Sequence, residues 1–188
     1  MCGRYNFSAE ESKDIQEIVE EVKRLYPDEQ IKFGDIYPTN SAPVIIEQNS
    51  RLVPVIQKWG YLHYKGTGTI INARAETITE KPFFRDSFFK RRCVVPASGF
   101  YEWDSHKHKF MFQDALNSCL YLAAVYTSFY GIHHFAIITT AANRSVAPVH
   151  NRMPVIIPKD QIPAWITNED VAKKFLEQPQ LELDRRAV

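Results

Sequence analysis

A chain of 188 residues is long enough for one domain with a sizeable core, and 45% hydrophobic with 24% charged residues is the balance of a soluble globular protein. With 23 Lys+Arg against 22 Asp+Glu, net charge gives no support for nucleic-acid binding; only its distribution does, with eight acids to three bases over 8–30 and seven bases to three acids over 81–109. No stretch nears the ~18 consecutive apolar residues of a membrane span, MCGRYNFSAEE lacks the apolar centre of a signal peptide, and Cys2, Cys93 and Cys119 form no CxxC pair, which argues for a reducing cytosol without disulfides or zinc.

The first predicted element is an amphipathic helix over 8–26. Ser8 and Glu11 have capping-box spacing, Ile15, Ile18, Val19, Val22, Leu25 and Tyr26 recur at helical intervals, and Pro27 ends it. Short β-rich runs follow at 42–47, 52–61, 93–99, 109–113, 120–129, 133–141 and 153–158. Gly, Pro, Asn and Ser separate them at short intervals, the pattern of an antiparallel sheet or open barrel. A second helix is predicted near 168–177, opened by Thr167 or Asn168. There is no repeat, and the eleven prolines form no linker, so the expectation is a single α+β domain over 1–188, mostly β.

Four segments stand apart from ordinary core and surface. In Met1-Cys2-Gly3-Arg4, removal of the initiator Met ahead of a small residue leaves Cys2 with an amine and a thiol on adjacent carbons. An α-amine titrates near ~7.7–8.0, so part of it is neutral at physiological pH and condenses with an aldehyde to a Schiff base. The thiol then closes a five-membered thiazolidine. In INARAET (71–77), Asn72, Arg74 and their neighbours could grip phosphate oxygens, or form a polar turn with one ion pair. In VVPASGFYEWD (94–104), Glu102 between aromatics suits proton transfer; the alternative is a strand Glu facing solvent with Tyr101 and Trp103 facing the core. In APVHNRMPVII (147–157), His150 at the mouth of a strand is a natural general acid/base, or an idle loop histidine.

In series, CGRY at 2–5, NSAP at 40–43, WG at 59–60, NARAET at 72–77, GFYEW at 99–103 and HNRMP at 150–154 resemble the SRAP (SOS response-associated peptidase) family, whose members crosslink to abasic sites in single-stranded DNA. The resemblance implies an α+β fold around a central antiparallel barrel-like sheet with a few flanking helices. It implies Cys2 as covalent nucleophile, Asn72 positioning the N-terminal residue and the opened sugar, and Glu102 and His150 moving protons. Arg4, Arg74, Arg152 and Trp59 are the implied nucleic-acid contacts. The implied partner is single-stranded DNA carrying abasic sites, with no cofactor and no metal. The expected location is the cytoplasm, with the nucleoid when DNA-bound, and the default expectation for the oligomeric state, which the sequence leaves open, is a monomer. Relatives follow WG with Pro and further Trp; here the segment reads WGYLHYKGTG, with Tyr61 and Tyr64 as substitute stacking rings. Two alternatives stand beside crosslinking: a thiol peptidase or autopeptidase using Cys2, His150 and Asn72, and a reversible single-strand binder.

Overall fold

The computed structural model describes residues 2–10, 12–63, 66, 68–116 and 119–188. In chain order its elements are β1 (Tyr5–Phe7), α1 (Lys13–Leu25), β2 (Gly34–Ile36), β3 (Ser41–Gln48), β4 (Arg51–Trp59), β5 (Tyr61–Leu62), β6 (Thr69–Ile70), β7 (Asn72–Arg74), α2 (Pro82–Lys90), β8 (Arg92–Ala97), β9 (Gly99–Trp103), β10 (Lys109–Gln113), β11 (Leu120–Phe129), β12 (Ile132–Ala141), β13 (Arg152–Pro154), α3 (Ile162–Thr167), α4 (Glu169–Glu177) and β14 (Asp184–Ala187). No helix among the described residues is long and apolar enough to cross a membrane.

The long strands close into a barrel in the order β11-β8-β3-β4-β12, with β11 pairing back onto β12. Side chains at Val44, Val95, Leu122, Phe135 and Ile137 are fully buried and small residues such as Ala42, Ala97 and Ala124 share their face. Every position of β8 is buried, because α2 and α3 cover it on the side away from the barrel centre. The expected antiparallel barrel-like sheet is present, and within it β4 runs parallel to β12 where the barrel closes, pairing Lys58 with His134 and Trp59 with Phe135. Strand β12 is long enough to serve two sets of neighbours. Its second half takes β7 in parallel, with Ile137 opposite Asn72 and Thr139 opposite Arg74. On the other edge it takes β13, with Thr139 opposite Pro154. Segments 72–74 and 152–154 therefore meet across one strand.

A second sheet, β14-β10-β9-β1-β2, is antiparallel throughout. Its inner face carries Tyr5, Phe7, Ile36, Phe100 and Phe112, all fully buried. Its outer face carries Arg4, Tyr101, Trp103, Lys109 and Arg186, following from the register and the two-residue strand period.

Helix α1 starts later than the sequence pattern predicts, at Lys13 with Ser12 at the N-cap. Glu11 lies outside the described residues, and Ser8 donates its N–H to Ser98 Oγ (2.9 Å), tying the strand end to the β8–β9 turn instead of capping a helix. Helix α4 matches the predicted 168–177 element, with Asn168 accepting from the N–H groups of Asp170 and Val171. Helices α2 and α3 were not predicted. Both end on Arg92, whose buried guanidinium donates to the carbonyls of Phe88, Phe89, Trp165 and Ile166. One cation thus satisfies the negative ends of two helix dipoles.

Candidate functional site

Cys2 stands just ahead of β1, where the ladder to β9 is extended by a hydrogen bond from Tyr101 N–H to the Arg4 carbonyl (2.9 Å). It has no solvent exposure. Asn72, carried by β7, donates Nδ2–H to the Cys2 carbonyl at 2.9 Å across 70 residues of sequence. Its Oδ1 is buried and has no hydrogen-bond partner. An unpartnered buried acceptor is costly, and this one lies on the residue that grips Cys2.

Glu102 is only 2% exposed. It shares the inner face of β9 with Phe100, the reverse of the solvent-facing alternative, while Tyr101 and Trp103 turn outward around Arg4. Burial pushes its carboxyl up from an ordinary 4.5 to about 7. The Cys2 thiol is pushed well up by burial, and further by the charge of Glu102. At neutral pH the pair is therefore a protonated thiol beside a carboxyl close to half-ionised, able to give or take a proton.

His150 Nδ1 lies 3.8 Å from Glu102 Oε1. The backbone N–H of Arg152 donates to the same nitrogen at 3.0 Å, which puts the neutral ring's proton on Nε2. The Arg152 carbonyl lies 3.2 Å away, so a protonated Nδ1 also has an acceptor in place. Burial depresses the His150 pKa and favours the neutral ring. Arg152 itself is committed: it forms a bidentate pair with Glu76 (2.5 and 2.9 Å) and donates to the Thr139 carbonyl at 2.6 Å. That pair holds the Glu76 carboxyl below its ordinary range.

Cys2, Asn72, Glu102 and His150, from four distant segments, are thus brought into one neighbourhood. Arg74 is exposed at its rim, lining a cavity of about 350 Å³ with Asn72, Lys81 and Phe83. Arg4 lies on the outer sheet face, 3.5 Å from Asp35. Its guanidinium is 4.4 Å from the Tyr37 ring centre and 5.0 Å from that of Trp103.

Trp59 needs correcting. It is fully buried, stacks on Phe135, meets the Tyr5 ring at a tilt, and donates Nε1–H to the Ile71 carbonyl (3.0 Å), so it presents no face to a base. Tyr61 is likewise 1% exposed, packed among Phe83, Phe84 and Phe129, and offers no platform. Tyr64 lies outside the described residues. Glu76 and Thr139, which hold Arg152, were not singled out from sequence, although the single ion pair considered for INARAET is the one Glu76 makes.

The sequence model for SOS response associated peptidase (SRAP) matches residues 1–187. The abasic site processing protein YoaM of Bacillus subtilis is 30% identical over 203 aligned positions, covering 98% of this chain and 87% of the relative. The abasic site processing protein YedK of Escherichia coli is 24% identical, covering 94% and 84%. A crystal structure from Bordetella bronchiseptica superposes with a TM-score of 0.79 at 19% identity, covering 100% of this chain and 99% of that one. One from Bacteroides thetaiotaomicron gives 0.79 at 21% identity, covering 100% and 92%.

Proposed function

This chain belongs to the SOS response associated peptidase family, and from that premise we propose that it processes abasic sites by capturing their aldehyde in single-stranded DNA as a thiazolidine on Cys2. The observation that carries the reading is the convergence on Cys2: Asn72 holds its carbonyl, and Glu102, with a pKa near neutrality, lies beside its thiol. The names of its relatives, abasic site processing proteins, supply the substrate class.

With Met1 attached, the Cys2 nitrogen is an amide and cannot form an imine. Once Met1 is removed, the neutral amine adds to the aldehyde carbon of the opened sugar and gives a carbinolamine. Glu102 in its acid form protonates the carbinolamine hydroxyl, water leaves, and an iminium remains. The thiol adds to the iminium carbon, a C–S bond forms, and the S–H proton passes to the Glu102 carboxylate. The acid is thereby regenerated and one water has been released overall. A thiol with a raised pKa is suited to this order of events, because it loses its proton only as the bond forms. His150 sits 3.8 Å from Glu102 and serves the sugar hydroxyls. Arg74 and Arg4 take flanking phosphates, contacts without sequence preference. Arg152, held by Glu76, positions His150 through its backbone N–H.

The peptidase alternative gains no support from this arrangement. A Cys-His-Asn triad needs an ionisable thiol and an Asn side chain oriented on the histidine. Here burial and Glu102 keep the thiol protonated, and the Asn72 amide is directed at Cys2.

The test is a denaturing gel of Met1-processed protein with a single-stranded oligonucleotide bearing one abasic site. A heat-stable shifted band is expected with processed protein, and none with Cys2→Ala or Met1-retaining protein. A band that persists in Cys2→Ala, or none with protein shown by mass spectrometry to be processed, would overturn the mechanism.

A further inference from the structure

We propose that one mouth of the barrel is a second binding site, separate from Cys2, for a small flat organic cation that donates N–H groups. The inward face of β3 and β4, which carries Val44 and Trp59, continues through Ile46, Val55 and Gln57. The inward face of β11 and β12, which carries Ala124 and Phe135, continues through Tyr126 and His133. These five side chains line a cavity of about 450 Å³, closed at its rim by Glu47 and by Glu29 from the segment after α1. Barrel mouths are common ligand sites, and the volume lies in the usual range for one. Neither Cys2 nor Asn72, Glu102 or His150 belongs to the lining.

Two observations mark this cavity as more than imperfect packing. Gln57 is 3% exposed, and its Oε1 is buried with no hydrogen-bond partner. An orphaned acceptor costs stability that an apolar side chain of the same size would not. The soft terminal torsion of the amide lets it turn toward a donor seated in the cavity. The second observation is charge: Glu29 and Glu47 line the cavity, and no Lys or Arg does among the described residues. Arg91, near Tyr126, is occupied by the Tyr126 carbonyl (3.1 Å) and by Asp86. Glu47 Oε1 accepts from the Ser50 N–H, which leaves Oε2 as the acceptor at the rim. The Tyr126 and His133 rings, edge to face with centres 6.1 Å apart, form a flat wall. Burial holds the Tyr126 phenol above its ordinary range, so the wall itself carries no negative charge. An aromatic amidinium fits all of this. Its N–H groups serve the Gln57 oxygen and the carboxylates, and its plane lies on the Tyr126 ring.

The test is an NMR titration of ¹⁵N-labelled protein with benzamidinium, its neutral analogue benzamide, and benzoate. The signals followed are the Gln57 side-chain amide and the backbone amides of Ile46, Val55 and Tyr126. Benzamidinium is expected to shift them saturably with a low-millimolar Kd, as befits so small a ligand. Benzamide should bind about fivefold more weakly or worse, and benzoate not at all. Gln57→Met, which keeps the volume and removes the acceptor, should weaken benzamidinium about tenfold. Glu47→Gln should weaken it up to about fivefold at low salt. Thermal unfolding of both variants comes first; should Gln57→Met fail to fold, Glu47→Gln, on the exposed rim, carries the comparison. No saturable shift with benzamidinium up to about 20 mM would leave the cavity to water and overturn the site. So would benzoate binding as tightly, or wild-type affinity in the folded variants. None of these readouts depends on abasic-site capture, so the two readings stand or fall separately.

Discussion

Replacing Glu102 by Gln is expected to stabilise the protein above neutral pH while slowing capture. In the unfolded chain the carboxyl ionises from about its ordinary 4.5, whereas the folded protein keeps it neutral up to about pH 7, because burial opposes the charge. A raised carboxyl pKa means that the folded state holds the proton more tightly. Wild type therefore loses stability as pH rises from 4.5 to about 7 and loses no more beyond that. The interval corresponds to about 3 kcal/mol, to be taken as an order of magnitude for a group in contact with other titrating groups. Gln is close in shape and carries no such penalty. Urea unfolding of both proteins at steps between pH 4.5 and 8.5 should show the Gln variant gaining on wild type at up to about 1.4 kcal/mol per pH step of one. The gain should level off above neutrality. Over the same range the variant should form adduct about 10²-fold more slowly or worse, because an amide moves no proton. A stability difference that stays flat with pH would refute the argument, since Glu102 would then be charged in the folded state.

Two more perturbations bear on the corrected and newly found residues. Trp59→Phe removes a buried N–H bond to the Ile71 carbonyl and should cost about 1–3 kcal/mol in urea unfolding. Its affinity for single-stranded oligonucleotide should match wild type, and a selective loss of affinity would return Trp59 to the interface. Glu76→Gln loosens the clamp on Arg152. It should displace the pH profile of capture through His150, read as a change in the apparent pKa of the adduct rate; an identical profile would leave Glu76 a surface ion pair only.

Most strands were legible because β-branched and aromatic runs bounded by Gly, Pro and Asn allow little else. Two features were not. The PFFRDSFFK segment of α2 alternates charge and aromatics without an obvious stripe, and its signals are Pro82 at the first turn and the Phe84–Phe88 spacing. The parallel closure of β4 on β12 depends on how the long strands wrap, which no local pattern encodes. The site shows the same division. Its residue types were readable, but the face of β9 on which Glu102 lies was not. A one-residue shift would exchange it with Trp103 and Tyr101, and only the packing of Phe100 and Phe112 inward fixes the choice. Trp59 failed for the complementary reason. A tryptophan at a strand end serves a core or a surface equally well in sequence, and here Tyr5 and Phe135 claim it.

On the proposed capture mechanism, the burial of Cys2 has a physical use. Terminal residues ordinarily fray, and fixing one costs about 1–2 kcal/mol of backbone entropy. Cys2 is nonetheless fully buried, because β1 is wedged between β2 and β9 and because Asn72 reaches from the barrel to its carbonyl. Ordering this residue before substrate arrives removes that cost from the capture step. The same burial raises the Glu102 pKa to where a proton can be exchanged at neutral pH, so one packing arrangement supplies both the geometry and the acid. It follows that loosening should harm both together. Asn72→Ala leaves the Cys2 carbonyl without its donor and frees the terminus, and hydrogen exchange at Arg4 and Tyr5 should rise as the adduct rate falls. If exchange stays protected while the rate falls, Asn72 acts on the substrate directly and not by holding Cys2.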